Sequence, residues 1–216
     1  MEKPVFGEFR APFYFGQILV RKTSTNEFVL SHRDEEAADQ LKVFRNVDDA
    51  IEIAKYDDAL NYRPLKTAPN LRHGWRLELD TPADLRRALD YFYPGRLAIF
   101  AAWKGGRLQT TPLRGTLDRQ SGMYRVAAKI SDSQIDNLVA DFCRSDGGCL
   151  RTIFWKRDAE GAVSSTKLPN EKFDPTFDQA SAQPGSTIPA TVPLLCQEAC
   201  NLLIAECRKM VKGEKD

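Results

Sequence analysis

The first forty residues carry two runs of aromatic and β-branched residues bounded by small polar ones, in the manner of strands. Pro12 to Lys22 (PFYFGQILVRK) is rich in aromatic and β-branched residues, Thr23-Ser24-Thr25-Asn26 reads as a turn, and Glu27 to His32 (EFVLSH) resumes the pattern, so a hairpin is predicted. After the acidic run Asp34-Glu35-Glu36, the short apolar piece Leu41 to Phe44 predicts a third strand. The period then changes. Asn46 is a good N-cap for a helix whose apolar positions fall at Val47, Ala50, Ile51 and Ala54. Tyr62 to Leu71 (YRPLKTAPNL), interrupted by Pro64 and Pro69, is incompatible with regular structure and marks a domain boundary, giving units 1–66 and 67–216.

The second unit opens on the alternating strand Gly74 to Leu79. Thr81 caps a helix with Pro82 in its first position, Asp84 where a capping-box acid belongs, and Leu85, Ala88, Leu89 and Phe92 as its apolar stripe; Pro94-Gly95 stops it. Leu97 to Trp103 and Leu108 to Thr111 read as a hairpin across Lys104-Gly105-Gly106-Arg107. Ser131 and Gln134 form a capping box for a helix with Ile135, Leu138, Val139 and Phe142 on one face, and Leu150 to Lys156 predicts a strand. Leu168 to Thr191 carries four prolines among small polar residues and reads as a loop, and Val192 to Lys212 predicts a final helix with Pro193 in its first turn. Hairpins combined with packed helices predict an α+β fold, mainly antiparallel, in two sub-domains.

Composition narrows the function. In 216 residues, 42% are apolar and 28% charged, enough for a packed core and too apolar for wholesale disorder. Lys plus Arg number 31 against 30 Asp plus Glu, a net +1 that argues against a chain built to grip nucleic acid or an anionic membrane. No apolar window is long enough to span a bilayer, and MEKPVFGEFR lacks the apolar core of a secretory signal, so the expected compartment is cytoplasmic. Thiols stay reduced there, so the five cysteines suit metal ligation or the core better than disulfides.

Four of them form a constellation. Cys143 and Cys149 stand in CRSDGGC, between a predicted helix and a predicted strand; Cys196 and Cys200 stand in CQEAC, in the first turns of the predicted last helix. Residues four apart on a helix have Cβ atoms about 5–6 Å apart, so Cys196 and Cys200 could address one centre from the same side. Structural zinc favours two-to-four-residue spacers within each pair, and the five-residue loop is wide for it. A [4Fe–4S] cubane, whose four thiolate ligands spread further, fits better. Core thiols, zinc and a redox thiol set all remain open on spacing alone. Features that suit the net negative charge of a thiolate-ligated cluster are the last helix's N-terminus, the glycine-bearing Ser145–Gly148 turn, and Arg144 and Arg151.

The segments YRPLKTAPNLRHGWRLELD, TPLRGTLDRQSGMYRV, FCRSDGGCLRTIFW, LPNEKFDP and PLLCQEACNLL, spanning about residues 60 to 210, carry a family resemblance. They resemble the C-terminal region of a two-part bacterial family in which a CbiX-type (sirohydrochlorin cobaltochelatase-like) domain precedes a stabilising domain and a [4Fe–4S]-binding domain. The resemblance implies that residues 1–66 are the stabilising part and 67–216 the cluster-binding part. It also implies that Cys143, Cys149, Cys196 and Cys200 are the four ligands of one [4Fe–4S] cluster. The chain begins where the chelatase domain would have ended, and its two histidines, His32 and His73, match no chelatase motif, so catalysis of metal insertion is not expected. A link to tetrapyrrole and cobalamin biosynthesis, and a separate chelatase or redox partner protein, are implied through the family's domain partner. Neither nucleic acid nor membrane is expected as a partner.

The remaining residues of interest have plainer expectations. Cys207 would lie about 10 Å along the helix axis from Cys200, which makes it a buried thiol rather than a ligand. His32, at a strand end, is expected on the surface or half-buried, and Trp75, Trp103 and Trp155 in the core on strands. Arg114 to Arg125 reads either as a solvated turn or as a source of cluster-neutralising arginine through Arg119 or Arg125, or as a docking loop. Phe6, Phe9, Phe13, Tyr14 and Phe15 either close the core or form a docking patch.

Overall fold

A sheet organised around Phe28–His32 dominates the N-terminal half. The computed structural model describes residues 12–35, 40–57, 59–62, 71–105, 107, 113–119, 125–138, 142, 152–153, 155–156, 162–163, 190–192, 194–196 and 200–213. It divides into two units, Met1–Gly105 with Asp174–Leu194, and Gly106–Phe173 with Leu195–Asp216.

In the first unit, β1 (Phe13–Phe15), β2 (Ile18–Lys22) and β3 (Phe28–His32) run antiparallel, followed in sequence by β4 (Lys42–Phe44) and β5 (Trp75–Leu79). The predicted turn at 23–26 is present, with Asn26 at φ 68° and Glu27 N–H bonded to Thr23 Oγ1. The sheet order is β4-β5-β3-β2-β1-β9, where β9 is Ala190–Val192; the three inner pairings are antiparallel and the two edge pairings, β4 with β5 and β1 with β9, are parallel. The fold is α+β. Because β5 pairs with both β3 and β4, the expected boundary after residue 66 falls inside this unit, and the chain passes to the second unit after Gly105. Strand alternation alone could not reveal a strand's partners.

The stretch from Pro12 to Lys22 is not one strand. It turns at Gly16-Gln17, and Gly16 has φ +60°. A Cβ there would stand 2.6 Å from the Tyr93 ring and 2.8 Å from Leu194 Cδ1, so both backbone and space demand glycine. The Tyr93 hydroxyl accepts the Gln17 N–H at 2.9 Å, and Gln17 Oε1 accepts the Leu71 N–H at 2.8 Å, so this buried turn satisfies its polar groups. Gly16→Ala is expected to lower stability by about 1–3 kcal/mol from backbone strain alone, more with the clash, read as a fall in denaturation midpoint. An unchanged midpoint would show that the turn can relax.

α2 (Pro82–Phe92) buries the stripe its sequence predicts, whereas α1 (Asp49–Ala54) buries Ala50, Ile53 and Ala54, with Ile53 taking the place expected for Ile51. Asn46 Oδ1 accepts the Asp48 N–H at 3.0 Å just before α1. α2 has Thr81 as N-cap, whose Oγ1 accepts the Asp84 N–H at 3.1 Å and donates to Asp84 Oδ2 at 2.7 Å. Leu85, Ala88, Leu89 and Phe92 are all fully buried, and Phe92 stacks on Trp75 of β5 with ring centroids 5.2 Å apart. Burying each large side chain contributes about 1.5–3 kcal/mol, so this helix is held by packing more than by propensity. Phe13 and Phe15 also lie in this core rather than on a docking patch, whereas Phe6 and Phe9 lie outside the described residues.

Two expectations are corrected. Leu97 to Trp103 is not a strand but part of α3 (Arg96–Lys104). Burial recurs at Leu97 and Phe100 while Ala98 is exposed, a helical rather than alternating spacing, and Ala98, Ala101 and Ala102 are strong helix formers. Trp103 therefore sits on a helix, Trp75 alone of the three is seen fully buried on a strand, and the side chain of Trp155 lies outside the described residues. His32, expected at or near the surface, is buried with 1% exposure, because β3 is an inner strand.

The second unit contains α4 (Leu113–Asp118), a 3₁₀ turn at Ala127–Lys129, α5 (Asp132–Leu138), and α6 (Asn201–Lys212). The Ser131 capping box closes both ways: Ser131 N–H donates to Gln134 Oε1 at 2.9 Å, and Gln134 N–H to Ser131 Oγ at 3.2 Å. Leu117, Ala127, Ile130, Ile135, Leu138, Leu203, Ile204 and Cys207 form one buried cluster, with Phe142, Cys200, Met210 and Val211 against it. The predicted strand over 150–156 appears as β6 (Thr152–Ile153) and β7 (Trp155–Lys156), and β7 pairs antiparallel with β8 (Ala162–Val163). Of the predicted loop 168–191, residues 168–189 lie outside the described residues, and Ala190 and Thr191 belong to β9.

The last helix starts later than its sequence pattern suggests. Val192 is strand, Leu195–Cys196 forms β10, and α6 begins only at Asn201. The buried run Val192, Leu194, Leu195 has no periodicity that separates helix from strand, and pairing of β9 with β1 and of β10 with β6 decides for strand. α6 ends as a helix should, with Gly213 in the left-handed region at φ 71° and Lys209 and Lys212 in the last turn.

Candidate metal centre

Cys196 and Cys200 do not share a helix face. Cys196 is the second residue of β10, 4% exposed, and Cys200 is the N-cap of α6. The strand carries one thiol and the helix start carries the other, two elements where the sequence suggested one. The Cys200 backbone is extended (φ −69°, ψ 159°), and its Sγ accepts the Leu203 N–H at 3.5 Å. Cysteine thus takes the place that Ser, Thr, Asp or Asn usually fills, and the helix N-terminus lends its partial positive charge to Cys200 rather than to Cys196.

Cys196 lies on a strand that is paired by its register. β10 runs parallel to β6, with Leu195 opposite Thr152 and Cys196 opposite Ile153, and Ile153 follows Cys149 by four residues. Cys143 and Cys149 themselves, with Arg144, Ser145–Gly148 and Arg151, lie outside the described residues.

A [4Fe–4S] group needs thiolates outside disulfides with N–H donors near the sulfurs, and the described cysteines fit that need. Cys196, Cys200 and Cys207 are not in disulfides, and Cys200 Sγ already receives an N–H. Cys207 is different. It is 1% exposed within the helical cluster of Leu203, Ile204 and Ile135, two turns into α6, where it acts as a small apolar residue.

The arginine-bearing segment is partly helix. α4 covers Leu113–Asp118, Arg119 is exposed with its Nη2 3.4 Å from Thr116 Oγ1, and Arg125 is exposed in the turn before Ala127. The structure also assembles a group that the sequence reading passed over. His32, Asp34 and His73 place one nitrogen or oxygen each within 4.8 Å of one another. The clue available was the acidic run that begins two residues after one of only two histidines.

Comparison with known proteins places a boundary at the same point, although the second match also takes in residues 174–194 of the first unit. Residues 7–104 match the DR2241 stabilising domain, and residues 105–209 match a 4Fe–4S iron–sulfur cluster binding domain. The two matches meet at the passage from the first unit to the second after Gly105. Among solved structures, the chain is similar to DR2241 of Deinococcus radiodurans, described as a multi-domain protein with structural similarity to chelatases and two additional novel domains. The identity is 27% and the TM-score 0.64, over 94% of this chain and 39% of that one. The chain therefore spans about two fifths of the length of its structural relative. No curated protein matches it. Among the described residues, no helix is long and apolar enough to cross a membrane. The chain carries a 4Fe–4S iron–sulfur cluster binding domain over residues 105–209, preceded by a stabilising domain of the DR2241 type over residues 7–104.

Proposed function

We propose that Cys143, Cys149, Cys196 and Cys200 hold one [4Fe–4S] cluster that serves electron transfer, or holds a surface for a partner, in chelatase-related tetrapyrrole or cobalamin metabolism. The observation that carries the ligand set is the register of β10 on β6. It sets Cys196 opposite Ile153, and four residues of chain reach at most about 14 Å, a span that supports a shared site for Cys149 and Cys196. When bound, the cluster supplies a one-electron centre. The chain's own part is to supply four thiolates, to direct the start of α6 and the Leu203 N–H at Cys200, and to keep Cys196 from water. The tetrapyrrole link rests on the chelatase-like architecture described for DR2241, and the partner is a chelatase or redox protein acting in the cytoplasm.

A structural four-cysteine site, holding zinc or a cluster that never changes oxidation state, is the second reading, favoured by the position of Cys200 at the foot of a helix that carries much of its unit's core. Anaerobic purification with iron and acid-labile sulfide counted per chain, followed by redox titration, separates the two. Four irons and four sulfides with a reversible one-electron change are expected. Zinc without sulfide, or a cluster with no accessible redox change, would replace the electron-transfer reading with the structural one.

A further inference from the structure

The geometry points to a second metal site, in the first unit and independent of the cysteines: His32, Asp34 and His73 form a three-ligand site for a borderline divalent ion of the Zn²⁺ class. The chain's two histidines lie 41 positions apart in sequence, yet their rings meet with centroids 4.0 Å apart and planes inclined by 52°. His32 Nδ1 lies 3.6 Å from Asp34 Oδ2, and the three donor atoms lie within 4.8 Å of one another. Ligands about 2.0–2.2 Å from a tetrahedral ion stand roughly 3.3–3.6 Å apart, so the His32–Asp34 edge already has the required length, and the His73 donor lies within 4.8 Å of both. Two imidazoles and one carboxylate suit Zn²⁺, Co²⁺ or Ni²⁺ and are too nitrogen-rich for Mg²⁺ or Ca²⁺.

Each ligand is set by a different piece of backbone. His32 ends β3 and is 1% exposed; Asp34 sits in the 3₁₀ turn Arg33–Glu35; His73 leads into β5. The next residue is held on both sides. Glu35 accepts the Gly74 N–H with both carboxylate oxygens, at 2.8 and 2.9 Å, and the Gly74 carbonyl accepts the Lys42 N–H at 3.0 Å. Gly74 has φ +83°, a conformation that an L-residue rarely takes, so the path placing His73 over His32 is specific to this turn. Arg33 Nε lies 3.7 Å from the other oxygen of Asp34 and leaves Oδ2 to the site. A metal at His32 Nδ1 would displace the long 3.3 Å hydrogen bond from the Asp34 N–H, a small loss against a coordinate bond. Asp34 and His73 are exposed, so the remaining coordination positions face water and the ion is exchangeable.

The test uses the full cluster-bearing chain, stripped of loosely held metal by a mild chelator, and titrated calorimetrically with Zn²⁺ and optically with Co²⁺. One ion per chain is expected, and Co²⁺ should give weak ligand-field bands without the intense thiolate charge-transfer absorption. His73→Ala and Asp34→Asn, both at exposed positions, should each weaken binding by at least about tenfold while leaving the cluster spectrum unchanged. Binding unaffected by both substitutions, or a Co²⁺ spectrum with thiolate charge transfer, would overturn the site. Failure of the cluster proposal would show separately, in the iron and sulfide count.

Discussion

Replacing any one of Cys143, Cys149, Cys196 or Cys200 by alanine is expected to remove most of the bound iron, while Cys207→Ala leaves the iron content almost unchanged. Each of the four would supply one thiolate to a different iron, and a cubane with a vacated corner is readily lost in air. Cys200→Ala also removes the N-cap of α6, a loss of about 1 kcal/mol beyond the metal. Cys207→Ala only trims a buried apolar contact and should lower stability by about 1 kcal/mol. Iron and sulfide analysis with a thermal melt on each variant reads both effects. Iron lost from Cys207→Ala but kept in Cys143→Ala would reverse the ligand assignment.

Removing the cluster is expected to loosen α6 and leave the sheet of the first unit intact. The two cysteine pairs are separated by 46 residues of sequence, and a link between them takes loop-closure entropy out of the unfolded ensemble. By analogy with a disulfide closing a loop of that order, the link contributes about 2–4 kcal/mol. Metal-binding free energy present only in the folded site is folding free energy. The first unit has a core without cysteine: Ile18, Leu19, Val20, Leu30, Trp75 and Leu77 are fully buried, and Trp75 stacks on Phe92 of α2. Hydrogen exchange on cluster-bound and cluster-stripped protein should therefore show amides of Leu203 to Met210 losing protection while those of β2, β3 and β5 keep theirs. Equal protection of α6 in both forms would mean that its packing against Leu117, Ile130, Ile135 and Leu138 suffices.

The sequence by itself determined the features that local chemistry controls. The Thr81 and Ser131 caps, the stripe of α2, the turn at 23–26, the alternation of β5 and the spacing of the cysteines are all readable within a few residues, because a cap, a period or a turn has its cause nearby. Where long-range pairing or packing competes with local pattern, only the tertiary structure decided. Leu97 to Trp103 offered both a β-like composition and alanines at helical spacing, and burial of Leu97 and Phe100 settled it as helix. Val192 to Cys196 became strand because β1 and β6 were there to pair with it, which moved Cys200 to a helix cap and separated it from Cys196. The boundary after Gly105 depended on β5 finding β3, and the meeting of His32 with His73 depended on the same pairing, since it sets the lead-in to β5 beside the end of β3. Contacts between distant positions have no periodicity along the chain, and the site they build becomes visible only when the strands are in register.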